Sequence, residues 1–412
     1  MSDVVERFVR YAKVWTTSEE GIEDRYPSTE RQKDLLRLLV SELKKIGLKD
    51  AAMDKHGYVM ATLPSNLPKK KKVPVIGLIA HVDTSPEVSG KGVRPILHKN
   101  YDGKDIVLPG DPTVIIKVDE NPHLSENVGG TIITSDGTTL LGADDKAGVA
   151  AIMSALAIMV KDDTMKHGDV RIAFTPDEEV GNGTKFFDVK AFGADIGYTM
   201  DGGQLGEVED ETFNAMSATF TVKGINYHPG YAKGRMVNAI RIITEIANLV
   251  PATISPETTE RREGYLHPHK ISGSVEEASL QLLIRDFTME GIGEKVAVLE
   301  SVAELQRAKY PKATIDLDIK ESYRNMKYKL DEEPRALEYS LEAVKRAGVE
   351  PIKAIVRGGT DGSRLSYMGL PTPNIFAGGM NFHSKLEYVP AASLEASVRT
   401  IIELLKLYAE KC

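Results

Sequence analysis

Residues 73–83 read VPVIGLIAHVD. An apolar run from Val73 to Ala80 without polar alternation fits a strand buried on both faces, and it stops at a histidine and an aspartate. Two further runs have the same form: Val170 to Phe174 leads into Asp177-Glu178-Glu179, and Ile196 to Met200 leads into Asp201-Gly202-Gly203. Between the first two, Lys146 to Val160 carries a strong helical pattern. Strands alternating with helices in this way predict an α/β sheet covered on both faces.

Upstream, Val5, Phe8, Val9, Ala12 and Trp15 predict one helix, and Leu35, Leu39, Leu43 and Ile46 a second. Thr29 and Gln32 read as a capping box for the second, and Gly47 as its stop. Downstream the order changes. Strand Met216 to Val222, helix Val237 to Leu249, two strand-like runs around Gly264 to Glu277 and Ala278 to Phe287, helix Ile292 to Ala308 and strand Thr314 to Ile319 make βαββαβ, the ferredoxin-like split arrangement. After Tyr323 the α/β character returns, with helix Pro334 to Ala347, strand Pro351 to Val356 and a closing helix Ala392 to Ala409. The reading is a large mixed-sheet domain, residues 1–213 and 324–412, with a small domain, 214–323, inserted into it.

With 412 residues, two domains are the natural expectation, and 42% hydrophobic with 27% charged residues is a globular composition. Lys and Arg number 52 against 60 Asp and Glu, a balance of −8 that argues against general affinity for nucleic acid or anionic membrane. The basic run Lys69 to Lys72 reads as a solvated loop at a strand entry. The start shows no signal-peptide pattern, and the longest apolar-rich run, Gly148 to Val160, falls short of the roughly 20 residues that span a bilayer. A single cysteine, Cys412, excludes internal disulfides and Cys-ligated metals, consistent with a reducing, cytoplasmic setting.

Five segments place acids or histidines just after an apolar run: His81-Val82-Asp83, Asp144-Asp145, Asp177-Glu178-Glu179, Asp201-Gly202-Gly203 and Asn381-Phe382-His383. The carboxyl ends of sheet strands are where α/β proteins gather functional side chains. Singly, such residues are most often helix caps or hydrogen-bonded surface groups. Together, an all-oxygen and imidazole set without sulfur suits Zn²⁺, Co²⁺ or Mn²⁺.

The strings AHVDTSP, LLGADDKAGVA, FTPDEEVG, MDGG and GGMNFHSKLE, in this order, resemble the M20 metallopeptidase family over essentially the whole chain. The stretches YHPGYAKGRMVNA and RGGTDGSRLS, with the long insert between Val88 and Thr139, resemble its tripeptide aminopeptidases. The resemblance implies two divalent ions, zinc or else cobalt or manganese. His81 and Asp201 would bind one, Glu179 and His383 the other, and Asp144 would bridge them. It further implies that Asp83 orients His81, Glu178 is the general base, His228 donates to the oxyanion from the inserted lid, often across a dimer interface, and Arg285 and Arg357 hold the peptide carboxylate. Asp145 reads better as a helix cap than as a ligand. The expected substrate is a short peptide. The rival readings are another M20-type amidohydrolase, namely a dipeptidase, carboxypeptidase or N-deacylase, and a non-catalytic metal-binding protein.

Overall fold

A computed structural model describes all 412 residues. Its largest sheet has eight strands in the order Ala52–Met53, Val59–Leu63, Val170–Thr175, Ile76–His81, Ile196–Gly202, Asn374–Phe376, Glu207–Thr212 and Ile352–Val356. The central strands run parallel: Ile76–His81 pairs with Val170–Thr175 on one side and Ile196–Gly202 on the other, and Asn374–Phe376 extends the parallel set. Every residue of Ile76–His81 is buried, which is why this strand reads as an uninterrupted apolar run.

One sheet face supplies Leu78, Ala80, Ile172, Phe174, Tyr198 and Met200 to the main core, shared with helices Asp3–Ala12, Ala143–Met159 and Ala391–Lys411. Helix Ala143–Met159 is apolar nearly all round because it lies in the middle of that core. The opposite face carries Ile79 and Ala173 against Phe187, Phe192, Leu365 and Leu370. No helix is long and apolar enough to cross a membrane.

Two local expectations need correction. Helix Gln32–Ile46 has no capping box: Thr29 Oγ1 donates to Thr17 O, and the Gln32 amide reaches Asp177 instead. The first helix stops at Ala12, so Trp15 lies beyond it, its Nε1 donating to Thr17 Oγ1 at 3.1 Å. Gly47, with φ of +128°, does end the second helix.

The insert between Val88 and Thr139 contributes Ile96–Lys99 and Thr131–Thr134 to a three-stranded sheet completed by Tyr388–Pro390, plus a two-stranded ribbon, Ile106–Val107 with Ile115–Ile116.

The chain divides into two compact units. The large one comprises Met1–Asp210, Met326–Ala354 and Thr360–Cys412; the small one comprises Glu211–Asn325 and also Ile355–Gly359. In the small unit four antiparallel strands lie in the order Tyr265–Gly273, Glu277–Asp286, Asn214–Lys223 and Thr314–Tyr323, with helices Ala239–Leu249 and Met289–Lys309. This is a ferredoxin-like βαββαβ sheet. Alternate residues Ala278, Leu280, Leu282 and Ile284 are buried, as a sheet covered on one face requires.

Candidate metal centre

Register places the carboxyl ends of the central strands together: His81 lies opposite Thr175, and Ile79 opposite Thr199. His81 closes its strand, and Asp201 is the penultimate residue of Ile196–Gly202. Beyond Thr175 the chain turns at Asp177, a non-glycine residue with φ of +60°, to deliver Glu178 and Glu179. That conformation is held from both sides. Asp177 accepts from Ser28 N at 2.6 Å, Ser28 Oγ at 2.5 Å and Gln32 Nε2 at 2.6 Å. Asp83 accepts from Glu178 N at 3.0 Å and Glu179 N at 3.2 Å.

Asp144 precedes the regular turns of its helix and is joined to Asp145 by a cis peptide. Asp145 accepts from Gly148 N at 3.1 Å and His81 N at 3.2 Å, so it caps the helix and pins the strand end. His383 has φ of +59° and sits in a loop closed by reciprocal main-chain bonds between Met380 and Tyr388, 2.9 and 3.1 Å.

Two donor sets result. In the first, His81 Nε2 lies 2.9 Å from Asp144 Oδ1 and 3.4 Å from Asp201 Oδ1. In the second, His383 Nε2 lies 2.8 Å from Glu179 Oε2 and 3.3 Å from Asp144 Oδ2. Each set forms a cluster able to hold one ion, and Asp144 gives one oxygen to each. Ligands around a tetrahedral cation with bonds of about 2.0–2.1 Å sit about 3.3 Å apart, so both sets fit a divalent ion with little movement. His81 Nδ1 lies 3.1 Å from Asp83 O and 3.3 Å from Asp83 Oδ1. The closer partner of the imidazole is thus the main-chain oxygen, and the Asp83 carboxylate is spent mainly on the Glu178–Glu179 backbone.

The electrostatics ask for positive charge. Burial, then Asp144, pushes Glu179 up to about 8 and Asp201 up to about 7. Asp144 and Glu179 hold His383 up to about 11. Burial pulls His81 down, but the carboxylates of Asp201, Asp144 and Asp83 outweigh it and hold the imidazole well above its ordinary value. Burial also raises Glu178 well above the carboxylate range, with Asp201, Asp361 and Glu179 adding to the effect and His81 opposing it. So many buried acids in one place are costly unless cations balance them.

The model of peptidase family M20/M25/M40 matches residues 134–407. The chain belongs to this family. It is 47% identical over 411 residues to peptidase T of Clostridium acetobutylicum, covering 100% of both chains. A tripeptidase of Staphylococcus aureus shares the fold at a TM-score of 0.76 and 22% identity, covering 99% of this chain and 98% of that one. A Bacillus subtilis dinuclear metal binding peptidase from the M20 family matches at 0.66 and 13% identity, with 99% and 98% covered.

In this M20/M25/M40 peptidase the other expected site residues belong to the small unit. His228 is exposed, and its Nδ1 accepts from Gly230 N at 3.2 Å within its own turn. Arg285 donates through Nη1 to Met216 O and Ile284 O, at 3.1 and 3.0 Å, with its guanidinium 5.5 Å from the Tyr323 ring. Arg357 Nη1 donates to Arg261 O and Glu263 O at 2.8 Å each, and Nη2 to Thr259, over the rings of Phe213 and Tyr265.

Two contributors were not foreseen. Gln32 braces Asp177 across 145 positions of sequence, its Oε1 also accepting from Asp177 N at 3.0 Å. Glu387, 1% exposed, accepts main-chain N–H bonds from Leu141 to Asp144. The only local signal for Glu387 is an acid directly before the buried strand Tyr388–Pro390.

Proposed function

We propose that this chain is a tripeptide aminopeptidase, removing the N-terminal residue of short peptides at a two-cation centre held by His81, Asp144, Asp201, Glu179 and His383. The observation that carries the reading is the division of the Asp144 carboxylate between two donor sets. The names of the full-length relative and of the tripeptidase neighbour support the substrate class. When bound, the two cations, zinc in this reading with cobalt or manganese as alternatives, supply Lewis-acid polarisation of the scissile carbonyl and acidify the attacking water.

The chain's own residues do the rest. Glu178 lies beside Glu179 but outside both donor sets, which suits a base that takes a proton from the attacking water. A carbon–oxygen bond forms, the carbon–nitrogen bond breaks, and Glu178 returns the proton to the leaving amine. Asp83 fixes Glu178 and Glu179 through their main-chain N–H groups and backs His81. The small unit, near residues 214–323, acts as a lid on a catalytic domain of 1–213 and 324–412, bringing His228 to the oxyanion. Arg285 suits the peptide carboxylate, since its protein bonds run through Nη1. Arg357 joins it only by yielding bonds to the 259–263 loop. The setting is the cytoplasm, with pairing of two chains through the lid and, at a net charge of −8, no role for nucleic acid or membrane.

The test is a panel of tri-, di- and N-acylated peptides with zinc-loaded wild type and Glu178→Ala. Tripeptide preference, with loss of turnover but retained metal in the variant, is expected. Preference for blocked amino termini would favour the deacylase reading, and full activity of Glu178→Ala would sink the mechanism.

A further inference from the structure

Glu387 has no place among the metal ligands or the groups assigned to the reaction, yet it is one of the most heavily bonded side chains near the centre. Its Oε2 accepts from Leu141 N and Gly142 N at 2.7 Å each, and its Oε1 from Ala143 N at 2.7 Å and Asp144 N at 3.1 Å. Four successive N–H groups converge because Gly142 adopts the left-handed conformation, φ +80° and ψ +34°, which folds the segment into a concave anion cradle. Charge-assisted bonds of this kind are about twice as strong as neutral ones, and all four close on one carboxylate.

The position of Glu387 in the chain gives those bonds their meaning. The loop running from Met380 to Tyr388 carries His383 near its middle and Glu387 at its foot. Its foot is anchored, since Tyr388 pairs in register with Thr134. Asn381 Nδ2 donates to Leu386 O at 3.2 Å and Asn121 Oδ1 at 2.8 Å, and Ser384 Oγ donates to Asn381 O at 2.7 Å, so the loop is internally braced. One side chain therefore ties the segment that delivers Asp144 to the loop that delivers His383.

We propose that Glu387 is a positioning residue that sets the spacing between Asp144 and His383, and so the affinity of the second cation site. The inference rests on the two-cation reading. The first set draws on His81 and Asp201, which are carried by the central strands, so it depends less on this tie than the set of Asp144, Glu179 and His383.

The experiment is zinc titration of metal-depleted protein against a chelating dye, with kcat and KM for a tripeptide at saturating zinc. Wild type is expected to take two equivalents. In Glu387→Gln, whose amide turns N–H towards N–H, the first equivalent stays near wild-type affinity, the second weakens about 10- to 100-fold, and kcat falls while KM holds. Tyr388→Phe is the control: the Tyr388 hydroxyl is buried without a hydrogen bond, so its removal leaves both affinities unchanged. A folded Glu387→Gln chain that binds the second equivalent like wild type overturns the proposal. If that variant does not fold, Glu387→Asp, which keeps the charge and shortens the reach, carries the same two outcomes. A wild type that takes fewer than two equivalents overturns the two-cation reading, and this inference with it.

Discussion

Replacing Gly148 by alanine sets helix propensity against packing, and the structure says which wins. A Cβ at position 148 would stand 2.1 Å from Met200 O, 2.4 Å from Asp145 Oδ1 and 2.9 Å from Met200 Cβ. Ordinary carbon–oxygen contacts begin near about 3.3 Å, so helix and strand would have to separate by about 1 Å. Propensity alone gives alanine about 1 kcal/mol over glycine inside a helix. Against that, overpacking costs about 1–3 kcal/mol, and displacing the Asp145 cap about 1 kcal/mol more. The net expectation is destabilisation of about 2 kcal/mol. The same movement draws Asp144 on the helix away from Asp201, the residue after Met200, and so spoils the first donor set. Urea unfolding of the metal-depleted protein and zinc titration would show a lower midpoint and weaker binding. An alanine variant that is about 1 kcal/mol more stable and binds two zinc ions normally would refute the reasoning.

Asp83→Ala leaves Glu178 N and Glu179 N without their acceptor, and zinc affinity should fall about 10- to 100-fold with a matching loss of kcat, read by titration and initial rates. Zinc binding should expel protons. Burial and then Asp144 raise Glu179, and the Asp144 and Glu179 carboxylates raise His383, so the His383–Glu179 pair holds a shared proton at pH 7 that an arriving cation must displace, and apparent affinity must rise with pH. Calorimetry in buffers of different ionisation enthalpy reads this directly; identical heats in phosphate and Tris would contradict it. Arg357→Ala abandons the carbonyls of Arg261, Glu263 and Thr259, and should destabilise the small unit by about 2 kcal/mol, seen as faster proteolysis of the 259–263 loop.

What was legible in the chain follows from range. Ile76–His81, Val170–Thr175 and Ile196–Gly202 are strands buried on both faces, so their composition alone betrays them, and the acids at their ends stand out against it. The βαββαβ order was equally plain, because strands such as Glu277–Asp286 alternate cleanly. By contrast, Ile106–Val107 and Ile115–Ile116 are two residues each, too short for any period to show. Gln32 was misread for a related reason: three residues from Thr29 it matches a capping box, but a stronger carboxylate acceptor waits 145 positions away. The bonds of Glu387 span up to 246 positions, and its one local mark, an acid directly before a buried strand, does not say which groups it holds.

The small unit's claim on Ile355–Gly359, where Arg357 is bonded to the 259–263 loop, makes it less portable than a simple insertion. Splicing residue 210 to residue 326 would leave a stranded arginine on the remaining scaffold and strip the excised piece of its clasp. Chimeras that exchange this module between relatives therefore need both stretches transplanted as a matched pair.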